Sequence, residues 1–182
     1  MRVLMLGDSH LARLEEGDLE RMRSRLGAEV ENAAAGGAWS GDLHRQVGAR
    51  DLTRYDAVVL SIGTNDAHPS TSSSPRALRA NVAELLTAAP PATLLRSPGM
   101  RRAPVPFDTE AVNVAISSCM DAAADAVRSH GGRLLPTLPI LARLGDAAWA
   151  ADGMHLSRPA NALVIAALVA ALLPPGVRVP LA

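Results

Sequence analysis

Short apolar runs alternate with helical patterns along the whole chain, and this alternation restricts the fold more than any other feature of the sequence. The strand-like runs are Val3–Leu6, Glu29–Ala33, Ala57–Ile62, Ala92–Leu95 and Arg133–Leu135. A helical pattern follows each of them. Strands that alternate with helices in this way favour one parallel sheet with helices on both faces and right-handed crossovers.

The predicted helices carry apolar residues at helical spacing or begin and end at capping signals. They span Ser9 to about Leu26, Gly41–Gly48, Pro75 to about Ala88, Thr109–Ser129 and the stretch that Ser157 caps. Pro75 and Pro159 suit a first helical turn, and Gly131-Gly132 suits a C-terminal cap. A length of 182 residues suits one domain with a single core, predicted over residues 1–182.

The charge balance argues against nucleic acid or an anionic membrane as a partner. Eighteen basic and eighteen acidic side chains cancel, and every basic residue other than histidine is arginine. Codon bias in a GC-rich genome explains the missing lysines better than a dedicated anion site does. The most apolar stretch, Ala160 to Leu173, is short of the roughly 20 residues that span a bilayer, so a core helix is predicted. No targeting segment is recognised, and a cytoplasmic location is expected.

Two distant segments contain the residue types of a nucleophilic hydrolase. Ser9 follows the first strand in Gly7-Asp8-Ser9, and Asp152 precedes His155 by three residues before the last helix. A serine hydroxyl becomes a useful nucleophile only when an imidazole takes its proton and a carboxylate orients that imidazole. Ser9, Gly37 and Asn65 each follow a predicted strand, so we expect them at one edge of the sheet.

The ordered blocks Gly7-Asp8-Ser9, Gly37, Gly63-Thr64-Asn65-Asp66 and Asp152-x-x-His155 resemble those of the SGNH hydrolases, also called the GDSL esterase/lipase family. The resemblance covers about residues 3 to 173. It implies a flavodoxin-like three-layer α/β/α fold with a five-stranded parallel sheet in the order 2-1-3-4-5. It also implies hydrolysis of esters or thioesters through an acyl-enzyme, with no cofactor and no metal.

The resemblance also implies a role for each matching residue. Ser9 would be the nucleophile, His155 the general base and then the acid, and Asp152 the residue that orients His155. The oxyanion hole would comprise the backbone N–H groups of Ser9 and Gly37 and the side-chain amide of Asn65.

Some positions in these blocks leave alternatives open. Gly36 or Gly37 could supply the oxyanion N–H, and Asp8 and Asp66 are interpreted as residues that organise their loops. His10 stands where the family usually has leucine, which raises a question about local packing or polarity.

The sequence predicts the substrate class only broadly. A small acyl or alkyl ester is favoured because aromatic residues, which often stack on sugars, are few. A thioesterase, a carbohydrate O-deacetylase or an acyltransferase would use the same residues. Trp39, His68 and Trp149 are the predicted substrate contacts, and the loops His68–Ser74 and Ser97–Asp108 are predicted to form the rim of the pocket.

Three other classes of function compete with a hydrolase. A metal site would group Asp152, His155, His10 and His68, but it would leave the oxyanion residues without a role. A catalytically silent binding domain on the same fold is a second class. A nucleotide-binding protein is the third, although the first loop lacks both a G-x-G-x-x-G motif and a P-loop lysine. The oligomeric state stays open.

Overall fold

A five-stranded parallel sheet forms the centre of the computed structural model, which describes residues 1–71 and 73–173. The strands are β1 (Arg2–Gly7), β2 (Glu29–Asn32), β3 (Ala57–Ser61), β4 (Ala92–Arg96) and β5 (Arg133–Pro136). They pair in the order β2-β1-β3-β4-β5, so that Met5 lies opposite Asn32 on one side and Val59 on the other. All five strands and their order were predicted from the sequence, and the structure confirms them.

Seven α-helices and three short 3₁₀ segments connect and cover the strands in the described residues. The α-helices are α1 (Ser9–Ala12), α2 (Glu16–Leu26), α3 (Leu43–Val47), α4 (Pro75–Leu86), α5 (Thr109–Ser129), α6 (Thr137–Leu141) and α7 (Arg158–Leu172). The 3₁₀ segments are Ser40–Asp42, Leu52–Arg54 and Ala142–Ala148. Within residues 1–71 and 73–173, no helix has the length and apolar character needed to cross a membrane.

Successive residues of β1 face opposite sides of the sheet and divide the core in two. Val3 and Met5 pack with apolar residues of α2 and α7, whereas Leu4 and Leu6 pack with residues of α4 and α5. Because helices cover both faces, the sheet is the middle layer of an α/β/α sandwich. The predicted fold class is therefore confirmed.

The sequence-based boundaries were wrong in two places. The helix predicted from Ser9 to about Leu26 is interrupted, because Glu15 has an extended backbone and forms a capping box with Asp18 that begins a second helix. The turns that follow β5 were not predicted, since Thr137–Leu141 contains a proline and has no clear helical periodicity. The predicted domain also includes residues 72 and 174–182, which lie outside the described residues.

The backbones of β1 and β3 approach each other unusually closely at the end of β1. Gly7 has a φ of +132°, and a Cβ placed on it would lie 1.9 Å from the carbonyl oxygen of Ser61. The N–H of Asp8 donates to that same oxygen at 2.7 Å. The side-chain amide of Gln46 pairs with the N–H and the carbonyl of Gly7, at 2.7 and 2.8 Å. These bonds fix the backbone at Gly7 and Asp8, directly before Ser9.

A buried pair of polar side chains lies beside this junction. Nδ1 of His10 is 3.2 Å from Oδ1 of Asp8, which also accepts a hydrogen bond from Ser61 Oγ at 2.9 Å. Burial by itself lowers the pKa of His10, and Arg13 adds a smaller effect in the same direction. The charge and hydrogen bond of Asp8 outweigh both, so the pKa of His10 is raised above its ordinary value. The structure thus explains the histidine at this position as the partner of Asp8.

Gly7→Ala should destabilise the protein by at least about 4 kcal/mol or prevent folding, because its Cβ cannot coexist with the Ser61 carbonyl. The matched control is Gly17→Ala in α2, where an added Cβ meets only Arg21, at 3.9 Å. That substitution should raise the free energy of unfolding by about 0.5–1 kcal/mol, because alanine favours a helix. Urea unfolding monitored by circular dichroism measures both changes. Near-native stability of Gly7→Ala would contradict the close approach.

His10→Gln should remove part of the pH dependence of stability. Because folding raises the pKa of His10, its protonation stabilises the fold below the ordinary value of 6.5, and that stability is lost as the pH rises through the folded-state pKa. The difference in free energy of unfolding between the parent and His10→Gln should therefore shrink as the pH rises. An unchanged pH dependence in His10→Gln would contradict the assignment.

Candidate active site

Three side chains that are far apart in the sequence form a hydrogen-bonded row at the carboxyl edge of the sheet. Ser9 is the first residue of α1, whereas Asp152 and His155 lie in the loop before α7. Oγ of Ser9 is 3.0 Å from Nε2 of His155, and Nδ1 of His155 is 2.7 Å from Oδ2 of Asp152. If Nδ1 carries the hydrogen and donates it to Asp152, Nε2 is free to accept the hydroxyl proton of Ser9.

The loop that carries Asp152 and His155 is closed by its own backbone. Trp149 and Leu156 form an antiparallel bridge, and the N–H of Ala150 donates to the carbonyl of His155 at 2.8 Å. The turn inside this bridge closes through a bond from the Gly153 N–H to the Ala150 carbonyl, at 2.9 Å. The predicted acid and base therefore sit on one small hairpin-like unit, which fixes their relative positions.

The environment of Asp152 favours its charged form. Burial raises the pKa of Asp152, but the backbone N–H and the imidazole of His155, together with the N–H of Met154, lower it by a larger amount. The two backbone donors reach Oδ1 at 3.0 and 2.9 Å. The net effect is a pKa well below the ordinary value for an aspartate. Asp152 is consequently ionised at neutral pH, the form that can stabilise a protonated imidazole.

Three further polar groups line the same cleft as Ser9 and His155. Nδ2 of Asn65 donates to the carbonyl of Ala38 at 2.8 Å, which leaves the second amide hydrogen available. Gly37 has a φ of +75° in the turn that the Ala38 N–H closes on Ala35. Among the described residues, no hydrogen bond uses the backbone N–H of Ser9 or of Gly37. The N–H of a first helical residue has no partner within its helix.

The buried carboxylate of Asp66 joins the two loops that supply these groups. It accepts hydrogen bonds from the backbone N–H of Ser40, at 3.0 and 3.2 Å, and from the Ser40 hydroxyl. Ser73 Oγ also donates to it at 2.7 Å, and Asn81 Nδ2 donates to Ser40 Oγ at 3.0 Å. This network agrees with the interpretation of Asp66 as a residue that organises its loop.

The cleft above Ser9 has a volume of about 370 Å³. Its lining residues are Ser9, His10, Arg13, Gly36, Gly37, Thr64, Asn65, Met100, Met154 and His155. The structure therefore brings Ser9, His155, Gly37 and Asn65 around one cavity, with Asp152 behind His155. Gly36 and Gly37, the two candidates for the oxyanion N–H, both line this cleft.

Sequence reasoning missed several residues of this lining. Arg13 follows Ser9 by one helical turn, and Met154 precedes His155, so their spacing could have indicated them. Met100 gave no such signal, because it lies in an irregular loop. The side chain of Asn113 holds that loop by bonding the N–H and the carbonyl of Met100, at 2.7 and 2.8 Å.

The three predicted substrate contacts are not among the described residues that line this cleft, and their part in substrate binding stays a prediction. Trp39 lines a separate groove beside α3 and α4, where its ring covers Gly41. Trp149 packs against the apolar core between the sheet and α7, and it is the residue that starts the closed loop. His68 faces Phe107 edge to face, with ring centroids 5.2 Å apart, and so connects the two predicted rim loops.

The four side chains of the alternative metal site do not gather at one point. His10 faces His155, with ring centroids 6.4 Å apart, whereas His68 belongs to the contact with Phe107. In residues 1–71 and 73–173, no three histidine, cysteine, aspartate or glutamate side chains form a group suited to hold a metal ion.

Solved structures with similar folds cover nearly the whole chain. A lipase/acylhydrolase from Enterococcus faecalis has a TM-score of 0.77 at 21% identity, over 94% of this chain and 95% of that chain. An acetylxylan esterase from Geobacillus stearothermophilus has a TM-score of 0.72 at 16% identity, over 97% and 96%. A carbohydrate acetylesterase from Sinorhizobium meliloti has a TM-score of 0.71 at 17% identity, over 94% and 99%. At these identities the structures show a shared fold.

A search of curated proteins found no match. The comparison with models of protein families is more specific than the comparison of folds. A model of the GDSL-like lipase/acylhydrolase family, in contrast, matches residues 5–163, and this range contains every block on which the predicted resemblance rests. The chain is therefore a member of the GDSL-like lipase/acylhydrolase family, a family of hydrolases.

Proposed function

We propose that the protein is a serine hydrolase that cleaves a small carboxylic ester through an acyl-enzyme. The proposal rests on the continuous row from Ser9 Oγ through the imidazole of His155 to Asp152, at 3.0 and 2.7 Å. Both distances are within the reach of hydrogen bonds that can pass a proton. We also propose that the enzyme needs no cofactor and that it acts in the cytoplasm.

In the first half of the reaction, Ser9 becomes acylated. Nε2 of His155 takes the hydroxyl proton while Oγ of Ser9 bonds to the ester carbonyl carbon, and the carbonyl oxygen becomes an oxyanion. The N–H groups of Ser9 and Gly37 and the amide of Asn65 donate hydrogen bonds to that oxygen. The tetrahedral intermediate then collapses: the bond to the alcohol oxygen breaks, and His155 returns the proton to the departing alcohol.

In the second half, water replaces the alcohol. His155 takes a proton from water as the water oxygen bonds to the acyl carbon, and the same donors hold the new oxyanion. The bond to Ser9 Oγ breaks, Ser9 recovers its proton from His155, and a carboxylic acid leaves. Throughout, the ionised Asp152 stabilises the charge that forms on His155.

The dimensions and lining of the cleft support a small acyl or alkyl ester. Its volume of about 370 Å³ is at the low end for ligand pockets. Methionine is the apolar residue that lines it, and no tryptophan, tyrosine or phenylalanine is among its described lining residues. Because sugars often stack on aromatic rings, this lining favours a simple ester over an acetylated carbohydrate. A thioesterase or an acyltransferase would use the same residues with another leaving group or acceptor.

Ser9→Ala should abolish ester hydrolysis and leave the fold unchanged, because it removes one oxygen from a half-buried strand–helix junction. Loss of a triad nucleophile lowers kcat by several orders of magnitude. Initial rates on p-nitrophenyl acetate, an acyl-CoA and an acetylated sugar measure this loss and rank the substrate classes. A fluorophosphonate probe should label the parent protein at Ser9 and leave the variant unlabelled. Unlabelled parent protein would favour the silent binding domain instead.

Asn65→Ala should lower kcat by about 10²–10³-fold and change KM little, because the amide would donate to the oxyanion and not to the ground-state ester. Michaelis–Menten kinetics on a short-chain ester separate the two parameters. Thermal unfolding serves as the control for the lost bond to Ala38. A raised KM with unchanged kcat would assign Asn65 to ground-state binding and remove it from the oxyanion hole.

A further inference from the structure

Arg13 places a positive charge at the edge of the cleft. It ends α1 as the C-cap residue, four positions after Ser9, and it lines the cleft together with Ser9 and His155. Its side chain is 57% exposed, so a ligand in the cleft can reach the guanidinium. No aspartate or glutamate is among the described lining residues, and the carboxylate nearest to Arg13, that of Asp152, is itself bonded to His155.

Arg13 differs from the neighbouring arginines in that its guanidinium donors are unused. Four other arginines line the two depressions next to the cleft, and each donates a hydrogen bond: Arg45 to Asp42, Arg50 to Glu31, Arg101 to Asp146 and Arg102 to the Ala151 carbonyl. The guanidinium of Arg13 makes no hydrogen bond to another described residue. Its nearest anionic atom is Oδ2 of Asp152, at 3.6 Å, which is too long for a hydrogen bond.

The structure offers a competing structural role, in which Arg13 supports Asp152. That carboxylate already accepts two backbone N–H bonds on Oδ1 and the imidazole bond on Oδ2. The pair with Arg13 is partly exposed, and exposed pairs contribute little to stability. Asp152 therefore has its hydrogen-bond partners without Arg13, whereas the guanidinium donors of Arg13 remain unused at the edge of the cleft.

The position of Arg13 indicates which part of the substrate it would meet. Arg13 lies beside the predicted acid and base, because its guanidinium is 3.6 Å from Oδ2 of Asp152, the atom that bonds to His155. His155 must protonate the leaving alcohol, so the alcohol portion lies on the side of His155. A group attached to that alcohol is consequently closer to Arg13 than the acyl group is.

We infer that Arg13 forms an anion subsite for the alcohol portion of the substrate, which would carry a carboxylate or a phosphate near the ester bond. Guanidinium binds both groups through paired N–H donors. This inference rests on the proposed function, and it narrows the substrate class to esters of anionic alcohols.

Three acetyl esters with different leaving groups test the subsite: 4-acetoxybenzoate, 4-acetoxyphenyl phosphate and the neutral 4-acetoxybenzamide. The ratio of kcat/KM for an anionic ester to that for the neutral ester should fall about three- to tenfold in Arg13→Met, the range for a partly exposed charged hydrogen bond. Arg13→Lys should keep most of the ratio because it keeps the charge. A fall for only one of the two anionic esters would identify which anion the subsite binds.

Arg101→Met is the matched control, because Arg101 is 52% exposed and already paired with Asp146. It should leave the ratio as in the parent. An unchanged ratio in Arg13→Met, or an equal loss of kcat/KM for all three esters, would overturn the inference and assign Arg13 to the support of Asp152.

A binding measurement separates this inference from the proposed function. Calorimetric titration of 4-acetoxybenzoate into Ser9→Ala and into the double variant Ser9→Ala/Arg13→Met needs no turnover. Weaker binding to the double variant supports the subsite, and equal binding overturns it. Absence of hydrolysis of all three esters by the parent protein would count against the proposed function alone.

Discussion

The junction between the ends of β1 and β3 is the constraint on which the rest of the site depends. Gly7 and Ser61 approach so closely that no side chain fits at Gly7, and the Asp8 N–H closes the junction on the Ser61 carbonyl. The loop after β1 carries Ser9, and the loop after β3 carries Asn65. Their neighbouring strands bring these loops side by side at one edge of the sheet, where the cleft opens.

A second set of bonds gives the predicted oxyanion donors fixed positions before any substrate arrives. The bond from Asn65 to the Ala38 carbonyl and the bonds from Ser40 to Asp66 tie the loop of Gly37 to the loop of Asn65. Donors held in this way do not need to reorganise when charge develops on the substrate, which is the main source of electrostatic catalysis. This arrangement buries the carboxylate of Asp66, which costs solvation free energy. The hydrogen bonds that Asp66 accepts offset that cost.

The fold could be predicted from the sequence because the central strands are compact apolar runs, as in Ala57–Ile62, and the parallel order followed from the family resemblance. The positions of Ser9, Gly37 and Asn65 could be predicted for a related reason, since parallel strands end at one edge. The substrate contacts have no such constraint. Trp39 and Trp149 were chosen for their closeness in sequence to the motifs, but Trp39 lines a groove beside α3 and α4, and Trp149 packs against the apolar core.

Two of the remaining residues of the cleft, Arg13 and Met100, take their positions from the ends of helices and from irregular loops. Arg13 reaches the cleft because α1 ends there and the chain turns before Glu15 begins the next helix. Met100 reaches the cleft because the side chain of Asn113, in α5, holds the backbone of Met100 in place. Both positions follow from a backbone irregularity, to which Met100 adds a long-range side-chain bond, and sequence periodicity records neither.

The closed loop from Trp149 to Leu156 has a consequence for how the site responds to disturbance. The acid and the base are joined by bonds within that loop, whereas the contact between His155 and Ser9 runs from that loop to the start of α1. A shift of the loop against α1 therefore lengthens the second contact and leaves the first unchanged. Damage to distant packing would slow the transfer of the serine proton without changing the tautomer of the imidazole.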